Sequence, residues 1–123
     1  REREALPVLI RREVDRAREG RPATIVVSDY AFHPLHFVNA EGGSPTVDIV
    51  KFPLPERRGE LHVFVVWADG MFAPGFTPRD WIDVHRRLVT LMRSEAFTGL
   101  RRVRTFVQPD GTPLIELWAA TRR

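Results

Sequence analysis

The chain is 123 residues long, 43% apolar and 28% charged, with a formal net charge of +3. That length and balance fit one globular domain with its own core and exclude a disordered or collagen-like polypeptide. The absence of cysteine excludes disulfides, thiolate metal sites and cysteine nucleophiles, and no apolar run approaches the roughly eighteen residues of a membrane-spanning helix.

Of the 19 basic residues only Lys51 is not arginine. Codon bias in a GC-rich genome accounts for such a skew, and so does recognition of phosphate or carboxylate by planar guanidinium forks. No leader pattern of basic start, apolar stretch and small-residue cleavage site is visible, so a cytoplasmic location is expected. The sequence begins at Arg1 where a translated chain has Met, which leaves room for an upstream segment.

In chain order, "REREALPVLIRREVDRAREGRP" predicts a helix starting near Glu4. Leu6, Ile10, Val14 and Ala17 share its buried face, and Gly20 and Pro22 stop it. Its other face, with Arg11, Arg12, Glu13, Asp15, Arg16, Arg18 and Glu19, reads as solvated. Strands are predicted over 23–30, 35–40, 46–52 and 60–68. The last is apolar on both sides, with Leu61, Val63, Val65 and Trp67 on one and Phe64 and Val66 on the other. Such a strand is central or covered on its second face. His62 alternates away from the core side and is expected in solvent or at an interface. A second helix is predicted from Thr77, as cap, and Pro78, at the first helical position, to Gly99. Trp81, Ile82, Val84, His85, Leu88, Val89, Leu91, Met92 and Ala96 form its apolar face, and Asp83 and Arg87 stand at a supportive four-residue spacing.

The chain closes on a hairpin, "RRVRTFVQPDGTPLIELW". Pro109 and Asp110 suit a type I turn with Gly111 left-handed, so Gln108 faces Thr112. Counting outward pairs Val103 with Leu117, Thr105 with Ile115 and Val107 with Pro113 on the core side. The reverse side then carries Phe106 with Leu114, Arg104 with Glu116 and Arg102 with Trp118. The expected architecture is one α+β domain over 1–123, a mostly antiparallel sheet of five to six strands with two helices packed on one face, in the order α-β-β-β-β-α-β-β.

Nucleophile-elbow, phosphate-loop and dinucleotide patterns are absent, so no catalytic residue, metal ligand or cofactor is assigned. Asp29, His33 and His36 are the one cluster of potential ligands or acid–base groups, although residues three apart on a strand face opposite ways. His85, on the apolar face of the second helix, is the other pocket candidate. Phe72 and Phe76 are large apolar residues in a turn-rich loop, serving as a lid or as anchors for a partner.

The reverse hairpin face supports three readings. As a solvated face it needs only Arg–Glu and Arg–Trp cross-strand pairs. As a partner surface, Arg102, Arg104, Phe106, Leu114 and Trp118 would be anchors, joined by Phe72 and Phe76. As a nucleic-acid platform, the same aromatics would stack bases between arginines. The sequence therefore favours a non-catalytic association module, homo-oligomeric or a subunit of a larger assembly, with no membrane partner. An arginine-rich nucleic-acid module on the same face is the second reading, and a small cone-shaped ligand-binding domain or enzyme with a histidine-lined pocket is the third.

Overall fold

The computed structural model describes residues 5–28, 44–68, 75 and 78–123, which build two helices and a five-stranded sheet. In chain order these are α1 (Leu6–Arg18), β1 (Ala23–Val27), β2 (Thr46–Asp48), β3 (Leu61–Trp67), α2 (Arg79–Met92), β4 (Phe97–Val107) and β5 (Pro113–Arg122). The fold is α+β, as the sequence implied. The predicted strand over 35–40 lies outside the described residues.

The sheet runs in the order β2-β1-β3-β5-β4. β1 pairs in parallel with both β2 and β3, whereas β3–β5 and β5–β4 are antiparallel and form the longer ladders. β3 is thus the middle strand, which is why both of its faces are apolar. Leu61, Val63 and Val65 join Ile25, Val27, Ile115 and Leu117 under Ile10 and Val14 of α1. Phe64 and Val66 join Val26 and Ala120 under Leu88 and Met92 of α2. The two helices therefore cover opposite faces, not one face as the element order suggested. A sheet whose central strand is apolar on both sides needs a cover on each.

Several local expectations are corrected by packing. Arg11 and Glu13 of α1 are buried and not solvated. Glu13 accepts from Arg16 at 2.9 Å and from Arg104 of β4 at 2.8 Å, which ties the helix to the sheet edge. α1 ends at Arg18 with Glu19 itself left-handed (φ 49°), one residue before Gly20. Pro78 lies just before the first helical residue of α2 and its side chain makes no cap hydrogen bond, while Thr77 lies outside the described residues. α2 stops at Met92, well short of Gly99, because Ser94 takes over the backbone: its hydroxyl donates to the Leu91 carbonyl at 2.7 Å and accepts from the Ala96 amide. The chain turns there and enters β4. Of the predicted apolar face only Leu88 and Met92 are buried, and Trp81 stays 51% exposed. Asp83 reaches Arg86 at 4.0 Å instead of Arg87.

The hairpin turn forms as read. The Gln108 amide donates to the Thr112 carbonyl and Gly111 adopts φ 87°. Val107 faces Pro113 and Arg102 faces Trp118. Between those two pairs the register slips, because β-bulges place Arg104 opposite Leu117, Thr105 opposite Glu116 and Phe106 opposite Ile115. A one-residue slip moves a side chain to the other face of a sheet. Phe106 consequently enters the α1-side core at 6% exposure.

Candidate functional site

The expected reverse face of the hairpin is not assembled as one surface. Phe106 is buried and Leu114 is half-buried against the α1-side core. Arg104 stacks on the Phe106 ring at 4.5 Å and pairs with Glu13, not with Glu116. Arg102 lies 3.9 Å from Glu116, and Arg93, just past the end of α2, sits over Trp118 at 5.5 Å. The Trp118 indole N–H donates to Glu116 at 2.8 Å. What remains of that face is a self-satisfied cluster of Arg93, Arg102, Glu116 and Trp118. With Phe106 inside the core, Trp118 is the aromatic left on that face among the described residues, and Arg93 lies over its ring. Phe64 and Val66 are likewise sealed beneath α2.

Phe72, Phe76, Asp29, His33 and His36 lie outside the described residues. His85 is half-buried on α2. Among the described residues no three of His, Cys, Asp and Glu come together as a metal site, and no helix is long and apolar enough to cross a membrane.

His62, expected at the surface, is fully buried on the α2 side of β3. Its ring packs edge-on to Phe97 at 5.1 Å and stacks near Phe64 at 6.4 Å. Nδ1 lies 3.3 Å from the Glu60 carbonyl oxygen, and Nε2 has no hydrogen-bond partner. Burial away from water pushes the imidazole pKa down, opposed by the Glu60 carbonyl and carboxylate and reinforced by Arg122. Glu60 is itself buried. One carboxylate oxygen accepts from Thr24 Oγ1 at 3.0 Å and the other is unpartnered.

A concavity lies elsewhere on this face, and the path of the chain explains it. β2 and β3 both run parallel to β1, so the chain must cross the sheet between Asp48 and Leu61. Such a crossover is usually a helix. Here Pro53 and Pro55 each remove a backbone donor, and the segment crosses as coil. It is pinned at its start by Asp48, whose carboxylate accepts from the Val50 amide at 2.9 Å and whose carbonyl accepts from Lys51 and Phe52. This tight turn ends β2 early and leaves Val50 50% and Phe52 60% exposed. A coil fills the layer beside α2 less completely than a helix would.

The result is a groove of about 750 Å³ between the crossover and the C-terminal half of α2. Ile49, Leu54, Leu91, Ala96 and Phe97 supply its apolar lining, and Phe52 stands at its lip. Among the described residues Arg86, Arg87 and Arg122 are its cations, against the single carboxylate of Glu56. Arg122 is held in place: it donates to the Ala96 carbonyl at 3.0 Å and lies over the Phe97 ring at 5.8 Å. Arg87 has no ion-pair partner among the described residues, and Arg86 has only the long contact to Asp83. An apolar floor with a few fixed polar groups around it is the usual composition of a binding site, and the volume falls in the usual range. Sequence reasoning missed this groove because its walls come from segments far apart in the chain. The local signs were the two prolines in a crossover and an aromatic stranded just after a turn.

Compared with family models, curated protein sequences and solved structures, the chain matches none.

Proposed function

We propose that this chain is a non-catalytic association domain, a subunit of a larger assembly, whose partner surface is the groove between α2 and the 49–60 crossover. One observation carries the reading: an apolar-floored groove stands open beside Phe52, which is 60% exposed. A large aromatic left in water beside a concave apolar surface is what an interface anchor looks like before its partner arrives. The same function was expected of the hairpin, and the groove takes its place as the surface.

Site-specific photo-crosslinking tests this. A benzophenone side chain replaces Phe52 in one variant and Val107 in another, a position 58% exposed at the end of β4. Irradiation in an extract of the source cells is expected to give a discrete adduct from position 52 and none from position 107. The adduct's mass distinguishes a second copy of the chain from another subunit. Equal adducts from both positions, or none from position 52, would overturn the reading.

A further inference from the structure

Resting on the association reading above, we propose that the groove takes an acidic amphipathic segment of a partner protein. Its apolar side chains would lie on Ile49, Leu54, Leu91 and Phe97, and its carboxylates on Arg86 and Arg87. Charge complementarity carries the choice. Among the described residues three guanidiniums and one carboxylate line the groove, so a basic segment would meet like charge on entry and an acidic one opposite charge. The arginines differ in availability. Arg122 is occupied by the Ala96 carbonyl and the Phe97 ring. Arg87 has no partner among the described residues and Arg86 is held only by a 4.0 Å contact with 74% of its side chain exposed. Two planar forks on one helix, one unpaired among the described residues and one only loosely held, suit carboxylates, which accept from them bidentately.

The floor narrows the class further. It is mainly aliphatic, with Ile49, Leu54, Leu91 and Ala96. It suits branched or aromatic side chains from an amphipathic segment, read as anchors spaced along a helix or strand. Single-stranded nucleic acid would need exposed rings in series to stack its bases, and a uniformly positive track for its phosphates. The groove offers Phe52 at its lip and interrupts the track with Glu56.

The test uses the whole chain and three fluorescein-labelled peptides of about twelve residues. One has glutamate on its polar face and leucine and phenylalanine on its apolar face, the second has lysine for glutamate, and the third is glutamate throughout. Fluorescence anisotropy gives affinity, and backbone amide shifts locate the site. The acidic amphipathic peptide is expected to bind at least about tenfold tighter than either control, with shifts at Phe52, Leu54, Arg87 and Leu91. R86E/R87E should reverse the preference so that the lysine peptide binds better. That reversal is a gain of binding that a misfolded variant could not show.

The outcomes separate the two levels. Lysine and glutamate amphipathic peptides that bind the groove equally, or a preference unchanged by R86E/R87E, would overturn the acidic class and leave the association surface standing. Shifts outside the groove with every peptide would overturn both. Concentration-dependent self-association that displaces the acidic peptide would make the occupant a second copy, since α2 also carries Asp80 and Asp83 beside the exposed Trp81, and would overturn the separate partner proposed here.

Discussion

Arg104 Nη1 lies 2.8 Å from Glu13 Oε1, joining the first helix to the edge strand across most of the chain's length. The Glu13 side chain is 9% exposed and that of Arg104 is 42%, so the pair is half sheltered. Losing a hydrogen-bonded partner of a buried carboxylate costs more than an exposed pair is worth, while solvent at the arginine end reduces the coupling. Arg16 also reaches the same oxygen and softens the loss. A double-mutant cycle of Glu13→Gln and Arg104→Met, read by urea unfolding, should give a coupling of about 0.5–1.5 kcal/mol. A coupling near zero would mean that Arg16 alone satisfies Glu13.

Phe106 and Phe52 provide a contrast. One is 6% exposed within the α1-side core and the other 60% exposed at the groove lip. Phe106→Ala should cost about 3–5 kcal/mol, by loss of transfer free energy and creation of a cavity. Phe52→Ala should change stability by less than about 0.5 kcal/mol, as surface substitutions do. Chemical denaturation of both variants measures this. Comparable losses would mean that Phe52 is part of the fold and not free for a partner.

These aromatics also show how far the sequence could be read. The Leu6, Ile10, Val14 stripe, the two-sided β3 and the Pro109–Asp110–Gly111 turn were legible because each is a local pattern with a local cause. The fate of Phe106 was not. Counting from the correct turn gives the wrong parity, because the pairing shifts between Phe106 and Val107, where β5 carries the extra residue Leu114, and nothing in "TPLIE" announces it. The end of α2 was misplaced because Ser94 capped the helix before the glycine that looked like its stop. The opposite placement of the two helices follows from Phe64 and Val66, whose need for cover is visible in the sequence although the element that supplies it, α2, is not. The groove was least legible of all. It arises from a coil crossover lying beside the far half of a helix, a relationship between segments that no short window contains.

Gly99 tests the bulges directly. It sits in β4 between Thr98 and Arg101, where the pairing with β5 shifts, and has φ 68°. A Cβ there would meet nothing within 4 Å, so the backbone conformation is the only obstacle. Holding an L-residue in the left-handed region costs roughly 1–2 kcal/mol. Gly99→Ala should therefore lower stability by about that amount, and Gly99→Asn by less, because Asn tolerates the conformation. Thermal or urea unfolding of the pair separates backbone strain from packing, since packing loss would make Asn no better than Ala.

The pH dependence of stability should report on His62. Its imidazole is held among Phe64 and Phe97, with burial lowering its pKa below the ordinary 6.5, Glu60 opposing that shift and Arg122 adding to it. Between the lowered native value and about 6.5, the unfolded chain binds a proton that the native state does not. Protonation therefore favours unfolding across that interval. Stability contributed by neutral His62 is complete above about pH 6.5, falls as the pH drops through the window, and levels off below the native pKa. One group cannot contribute a slope steeper than about 1.4 kcal/mol per pH unit. His62→Phe removes both the titration and the unpartnered Nε2 while keeping a ring against Phe97. Urea unfolding between about pH 7.5 and 5 should show the wild-type chain losing stability relative to this variant as pH falls. Parallel curves for the two proteins would show that His62 is as solvated in the native state as in the unfolded chain, and would contradict its burial in the α2-side core.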